Sequence, residues 1–111
     1  MHELAITRSI VEAVCEVAGA ARVMRVQLEI GNFTGLIADS IRFCFDLCTQ
    51  STALEGAVLQ INEIAGRARC VECNAEFLVQ NPIALCACGS GNVEILAGNE
   101  LRIIEVELQN V

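Results

Sequence analysis

The chain has 111 residues, of which 54% are hydrophobic, and a net charge of −7 from 14 acidic and 7 basic side chains. This length fits one domain with at most a small inserted module. A nucleic-acid-binding protein would normally carry a basic patch, and none is visible. The apolar stretches are too short to span a membrane, and the N-terminus lacks the basic and apolar regions of a secretory signal. We therefore expect a soluble, cytoplasmic protein.

Hydrophobic periodicity predicts a helix, a strand, a second helix and a second strand in the first part of the chain. These elements are expected at residues 3–19, 22–30, about 39–51 and 57–64. Glu3 would lie at the positive end of the first helix, where a carboxylate is favoured. Asp39 or Ser40 is the expected N-cap of the second helix, because short polar side chains accept hydrogen bonds from the first free amides.

The periodicity fades over residues 66–97 and returns in a last strand at residues 101–108. The alternation of this strand slips at Ile103-Ile104, which indicates either a β-bulge or a strand buried on both faces. The segment between the second and last strands has few large apolar residues and four cysteines. We call this segment, residues 66–97, the insert, and expect it to be held together by something other than a hydrophobic core.

The four cysteines of the insert form two close pairs, Cys70-Val-Glu-Cys73 and Cys86-Ala-Cys88. Four thiolates from two short turns can surround one Zn²⁺ tetrahedrally, and such a closed site has a folding role rather than a catalytic one. The second pair is one residue shorter than the usual C-x2-C turn. An iron centre of the rubredoxin type would use the same ligands, and a reactive dithiol is a further alternative. A stable disulfide within Cys-Ala-Cys would be strained.

The other three cysteines, Cys15, Cys44 and Cys48, lie among apolar residues of the two helices. Cys44 and Cys48 are one helical turn apart and could face one ion. Free cysteine commonly behaves as a small buried hydrophobe, however, so we expect all three to pack in the core.

The only histidine of the chain is His2, directly behind the initiator methionine. The α-amino group of Met1, the His2 amide and the imidazole Nδ1 can close fused chelate rings around one metal ion. A planar set of nitrogen ligands suits Ni(II) or Cu(II). Glu3 follows as a further candidate ligand. A histidine close to a chain terminus need not bind metal, so this pattern alone leaves the question open.

Several motifs in order along the chain resemble the HypA/HybF family of nickel-insertion accessory proteins for [NiFe]-hydrogenase maturation. They are Met1-His2-Glu3-Leu4, Leu28-Glu29-Ile30-Gly31, Cys70-x-x-Cys73 followed by Phe77, and Gly98-Asn99-Glu100-Leu101-Arg102-Ile103. The resemblance runs over essentially the full length. It implies an α+β fold in which two helices pack on a three-stranded sheet, with a small zinc-ribbon module inserted before the last strand. The corresponding domains are residues 1–65 with 98–111, and the insert.

The same resemblance implies a nickel metallochaperone and not an enzyme. Exchangeable Ni²⁺ would bind through the amine of Met1 and through His2, with Glu3 in the site or in contact with partners. Structural Zn²⁺ would bind the four thiolates of Cys70, Cys73, Cys86 and Cys88. The implied partners are a HypB-type GTPase and the hydrogenase large subunit, or urease in some bacteria, and a homodimer is possible in the family. The chain departs from the family at Cys86-Ala-Cys88, and at Ile37, where many members carry an acidic residue.

Two other classes of protein remain as alternatives. A zinc-ribbon adaptor that binds other proteins explains the cysteines but gives His2 no role. A thiol redox protein that uses Cys86 and Cys88 predicts thiols that react rapidly. Because there is a single histidine, no Ser-His-Asp catalytic set can form away from residue 2.

Overall fold

The computed structural model describes residues 2–79 and 84–109. Two α-helices, six strands and a 3₁₀ turn at Asn32–Thr34 make up this part of the chain. In chain order the helices and strands are α1 (Glu3–Ala18), β1 (Val23–Gly31), α2 (Ala38–Cys48), β2 (Val58–Ile64), β3 (Gly66–Cys70), β4 (Glu76–Val79), β5 (Val93–Ala97) and β6 (Leu101–Leu108). Neither helix is long and apolar enough to cross a bilayer, as far as the described residues go.

The first sheet has the strand order β2-β1-β6, with β1 parallel to β2 and antiparallel to β6. Alternate residues of the central strand, Val26, Leu28 and Ile30, are buried and belong to one apolar cluster with residues of α1 and α2. Because side chains alternate across a strand, the intervening Arg25, Gln27 and Glu29 face the opposite side of the sheet. The expected α+β arrangement of two helices on a three-stranded sheet is confirmed.

Of the two alternatives for the last strand, the β-bulge is the one that is present. Leu28 of β1 pairs with Ile103 and its neighbour Gln27 pairs with Glu105, so Ile104 has no partner on β1. The extra residue restores the apolar side chains of β6 to the helix-covered face after the slip in the sequence alternation.

The predicted N-cap of the second helix is wrong. The capping position is Ile37, whose side chain makes no capping hydrogen bond, and Asp39 lies inside the first turn. The acceptor comes instead from α1, because Glu3 Oε2 accepts a hydrogen bond from the Ile37 amide at 3.4 Å. A carboxylate from the neighbouring helix thus satisfies one of the free amides at this helix start, that of the capping residue itself.

The insert contains its own three-stranded antiparallel sheet, with the order β4-β3-β5. Ion pairs join the exposed face of its central strand to both neighbours, Arg67 to Glu76 and Arg69 to Glu94. Between the arginines, Ala68 is fully buried. This sheet was not predicted from the sequence, since strands of four or five residues with small buried side chains give little hydrophobic signal.

The two sheets meet where the chain enters and leaves the insert. Phe33, just after β1, packs against Gly66 at the entry and Gly98 at the exit, and its amide donates to the Gly98 carbonyl at 2.8 Å. Gly98 also has a φ of +117°, a conformation that glycine adopts readily. The Gly31 amide donates to the Glu100 carbonyl at 2.7 Å. The glycines therefore allow close approach of three chain segments at this junction.

We expect Leu28→Ala to lower the free energy of unfolding by about 3 kcal/mol, because Leu28 is 1% exposed at the centre of the core and alanine would leave a cavity. Urea denaturation followed by circular dichroism measures the loss. The matched control Val17→Ala alters a side chain that is 73% exposed on α1 and should change stability by less than about 0.5 kcal/mol. A loss below about 1 kcal/mol for Leu28→Ala would contradict this core assignment.

Candidate metal sites

The four cysteine sulfur atoms of the insert come together in one cluster. The Sγ atoms of Cys70, Cys73, Cys86 and Cys88 all lie within 4.8 Å of one another. The Cys70–Cys88 sulfur distance is 3.7 Å and the Cys73–Cys86 distance is 3.5 Å. A tetrahedral zinc site with Zn–S bonds of about 2.3 Å requires sulfur separations of about 3.8 Å. The donor set and its spacing therefore fit a closed zinc site.

The first cysteine turn follows the end of β3. The Cys70 amide donates to the Ala75 carbonyl and the Asn74 amide donates to the Cys70 carbonyl, both at 2.9 Å. Asn74 has a φ of 66°, a left-handed conformation that asparagine tolerates better than most residues. These contacts fold the chain back so that Cys73 faces the same point as Cys70.

The second turn reaches the cluster despite its short Cys-Ala-Cys spacing. The Cys86 amide donates to the Ser90 carbonyl at 3.0 Å, and the Gly89 amide donates to the Cys86 carbonyl at 2.9 Å. Gly89 has a φ of +92°, which allows the chain to reverse immediately after Cys88. The missing spacer residue is thus accommodated by the tight turn after the pair.

The thiols of the cluster lie in unequal environments. Cys70 and Cys86 are buried, whereas Cys73 and Cys88 are exposed. Hydrogen bonds from the Cys73 amide, and less strongly the Glu72 amide, outweigh burial and lower the pKa of Cys70 to about 7. For Cys86 the Cys88 amide acts in the same direction, but burial and the neighbouring thiols prevail and raise its pKa to about 12. Because metal ligands bind as thiolates, metal binding at this cluster would release the proton of Cys86.

The candidate nickel ligands at the N-terminus differ in exposure, since His2 is exposed and Glu3 is buried. Met1 lies outside the described residues, so the structure does not test its amine as a ligand. His2 is exposed and precedes the first turn of α1, where its carbonyl accepts a hydrogen bond from the Ile6 amide at 3.0 Å. The imidazole is accordingly accessible to an ion from solvent while the backbone beside it is fixed by the helix.

Glu3 is buried, unlike its neighbour His2, and connects the beginnings of the two helices. Its pKa is lowered to about 2, first by the chain's amino group and next by the amides of Glu3 and Ile37. Sequence reasoning placed Glu3 only at the start of α1 and missed its contact with α2. Nothing in the local pattern signals that contact, since the two residues are 34 positions apart.

The remaining cysteines lie away from the cluster. Cys15, Cys44 and Cys48 are half-buried. Cys15 and Cys48 pack against the apolar core, in line with the expectation for a small hydrophobe. Cys44 differs from the expectation, because it is not among the residues packed against the core and instead lines a shallow pocket with Glu3 and Asp39. Among the described residues, the thiolate cluster of the insert is the single group of three or more metal-ligating side chains.

A helix-covered sheet and a second sheet beside a four-cysteine cluster whose spacing fits zinc together define a small protein of the α+β class with a candidate metal centre. The model of the family described as "Hydrogenase/urease nickel incorporation, metallochaperone, hypA" matches residues 1–108. The chain belongs to this family of hydrogenase maturation factors.

Individual relatives agree with this assignment. The chain is 50% identical to "Hydrogenase maturation factor HypA" of Trichormus variabilis over 111 residues, covering all of this chain and 98% of that protein. It is 48% identical to the protein of the same description from Nostoc punctiforme, with the same coverage. The solution structure of the "Ni metallochaperone HypA from Helicobacter pylori" is 25% identical, covers 97% of both chains and has a TM-score of 0.64.

Proposed function

We propose that the protein is a cytoplasmic nickel metallochaperone that binds Ni²⁺ at its N-terminus and delivers it during [NiFe]-hydrogenase maturation. Delivery involves a HypB-type GTPase and ends at the hydrogenase large subunit. The protein itself catalyses no reaction. Membership of the HypA family supports the cargo and the pathway, and the exposed His2 beside a fixed helix start supports the site.

The exposed position of His2 is the observation that carries this proposal. Nickel held by the Met1 amine, the His2 amide and the His2 imidazole would lie at the surface, where a recipient protein can reach it without unfolding the chaperone. Glu3 is held by backbone amides in the described structure, so its carboxylate orients the helix start. We assign it a positioning role first, with direct ligation to nickel as a further prediction.

The four cysteines would hold Zn²⁺ with a structural role. The tetrahedral spacing of their sulfur atoms supports zinc as the resident ion. We propose that the insert, residues 66–97, is the unit which this metal orders, and that residues 1–65 with 98–111 form the nickel-binding domain.

Titration of nickel into untagged protein tests the proposal. We expect one nickel per chain in the wild type and at least about a hundredfold weaker binding in His2→Ala, because the imidazole completes the planar nitrogen set. Metal analysis should find zinc unchanged at one per chain. Isothermal titration calorimetry measures the affinity, and the near-ultraviolet and visible absorption of planar Ni(II) reports the geometry.

Extending the N-terminus by two residues separates the proposal from the alternatives. The extension removes the α-amino group from the site and should weaken nickel binding as strongly as His2→Ala, whereas the same residues at the C-terminus should have no effect. If nickel binding survives both the extension and His2→Ala, the N-terminal site is wrong. A zinc-ribbon adaptor would then be the better description.

A further inference from the structure

Strand β6 leaves one side of the first sheet open. Its inner side pairs with β1, and no strand of the described residues pairs with its outer side. The Glu100 carbonyl accepts from the Gly31 amide, and the Gln109 amide donates to the Arg22 carbonyl, so Glu100 and Gln109 face β1. Orientation alternates along an antiparallel strand, with one extra residue at the bulge. The residues that direct their N–H and C=O groups outward are therefore Leu101, Ile103, Val106 and Leu108.

A groove of about 410 Å³ lies beside this open edge, between β6 and α1. Leu101 and Ile103 line it from the strand side, and both are at least 36% exposed. The helix lines it largely with small side chains, among them Ala5, Ser9 and Ala13. Val17 follows Ile10 by two helical turns and is 73% exposed, so it extends this wall beyond the groove. A strand added to β6 would direct every second side chain into this apolar space.

Two carboxylates stand on the outer rim of the helix wall. Glu16 follows Ser9 by two helical turns, and Glu12 lies one turn before Glu16. Both are exposed, and neither side chain forms an ion pair or hydrogen bond with another described residue. Arg8 lies one turn before Glu12, but no basic residue lies within one turn of Glu16. The rim therefore attracts a positively charged side chain from a molecule that enters the groove.

The groove begins at the end of α1 that carries His2. His2 has helical backbone angles and precedes Ala5 and Ile6 by three and four residues, the spacing that places side chains on one helix face. Strand β1 starts just after α1 ends, and its first residue, Val23, pairs with Leu108. Helix α1 and strand β6 therefore run in the same direction, with His2 at the Leu101 end of the groove and Glu16 at the Leu108 end.

We propose that this edge and groove bind an extended segment of a partner protein, which joins the first sheet as an antiparallel strand outside β6. Apolar residues at alternate positions of the segment enter the groove, and lysine or arginine at its N-terminal end contacts Glu12 and Glu16. The C-terminal end of the segment then lies beside His2. That the partner is the protein which receives nickel rests on the proposed function, whereas the strand addition itself does not.

A designed peptide of about eight residues tests the strand addition. It begins with lysines and continues with alternating valine and threonine, and both of its ends are blocked. We expect it to bind zinc-loaded, nickel-free protein with a dissociation constant of about 100 μM in an NMR titration. It should slow hydrogen exchange at the outward amides of β6. Absence of binding at about 1 mM peptide would overturn the proposal. Protection of the same amides by raising the protein concentration alone would also overturn it, because a second copy would then occupy the edge.

Substitution of Ile103 tests the backbone pairing. Ile103→Pro should weaken peptide binding at least tenfold, because proline removes an outward amide that β1 does not use. Ile103→Val keeps this amide and should bind the peptide like the wild type. Equal binding by the proline and valine variants would show that the peptide does not add to the sheet.

Charge reversal on α1 tests the position of the basic residues without altering β6. Glu16→Lys should weaken binding about threefold, as expected for loss of an exposed ion pair. Glu63→Lys makes the same change of net charge at an exposed position of β2 and should leave binding unchanged. A peptide that begins with glutamates should instead bind Glu16→Lys better than the wild type. Equal effects of the two variants would show attraction to net charge alone and would refute the proposed contact.

The placement beside the nickel site has its own readout. The imidazole signals of His2 should shift when the peptide binds, because its C-terminal end reaches the first turn of α1. Since no nickel is present in these measurements, failure of the N-terminal nickel site would leave the docking result intact. Peptide binding with unchanged imidazole signals would overturn the placement of the segment beside His2.

Discussion

Replacing Cys70 with serine should abolish metal binding by the insert and unfold residues 66–97 while the helix-covered sheet remains folded. Cys70 is fully buried and its sulfur lies 3.7 Å from that of Cys88. A water molecule therefore cannot replace the lost thiolate as a metal ligand without displacing part of β3. Structural zinc sites of this kind contribute about 10 kcal/mol or more to folding. Metal analysis should show loss of zinc, and amide hydrogen exchange should show loss of protection confined to the insert.

The matched control is Cys15→Ser, which changes a half-buried cysteine of α1 outside the cluster. It should retain one zinc per chain and normal protection in the insert. Removal of zinc from the wild type by a strong chelator should reproduce the exchange pattern of Cys70→Ser. Full protection of the insert in metal-free protein would show that its own sheet suffices and that the metal has no folding role.

Gly31→Ala should cost about 3 kcal/mol or more of unfolding free energy, the upper range for an overpacked site. A Cβ atom at this position would lie 2.0 Å from the Gly98 carbonyl oxygen and 2.7 Å from Glu100 Oε1. The first contact is with backbone, so relief requires the chain leaving the insert to move away from β1. That movement breaks the hydrogen bonds from the Gly31 and Phe33 amides to this segment.

Gly91→Ala is the control for this prediction, because the nearest atom to an added Cβ is a leucine methyl at the ordinary distance of 3.8 Å. It should change stability by less than about 0.5 kcal/mol. Thermal unfolding by calorimetry compares the two variants. Equal midpoints for Gly31→Ala and wild type would mean that the junction tolerates displacement and does not fix the two sheets together.

The elements of the first sheet could be predicted because each has a strong period. The apolar residues of α1 recur at helical spacing, and β1 alternates from Arg25 onward, so the predicted bounds lie within a residue of those observed. The predicted bounds of the last strand, residues 101–108, are those observed, and the bulge is one of the two alternatives that its slipped alternation indicated. The second helix ends three residues earlier than expected, at Cys48. A local pattern carries no information on how soon the following turns begin.

The contacts between distant segments could not be predicted. The capping of α2 by Glu3 depends on packing of two helices, and the closeness of Gly31 to Gly98 depends on how the sheets meet. In contrast, the cysteine cluster was predicted from spacing alone, since two short pairs of thiols have few other ways to be satisfied. The nickel ligands remain a prediction. The site needs the amino group of Met1 together with the imidazole of His2, and Met1 lies outside the residues that the structure describes.

The junction at Phe33 has a consequence for the order in which the chain folds. The central strand β1 is synthesised early and pairs with β2, whose last residue Ile64 lies opposite Gly31. Adding β6 to the other side of β1 then requires closure of the loop over residues 65–100, which is more than thirty residues long. Once the insert is ordered, Gly98 lies against Gly66, and the chain that remains to be closed is only a few residues long. The entropy saved is on the order of 1–2 kcal/mol. Capture of metal by the cysteines would therefore speed completion of the first sheet, and newly synthesised chains that lack the ion would expose the edge of β1 for longer.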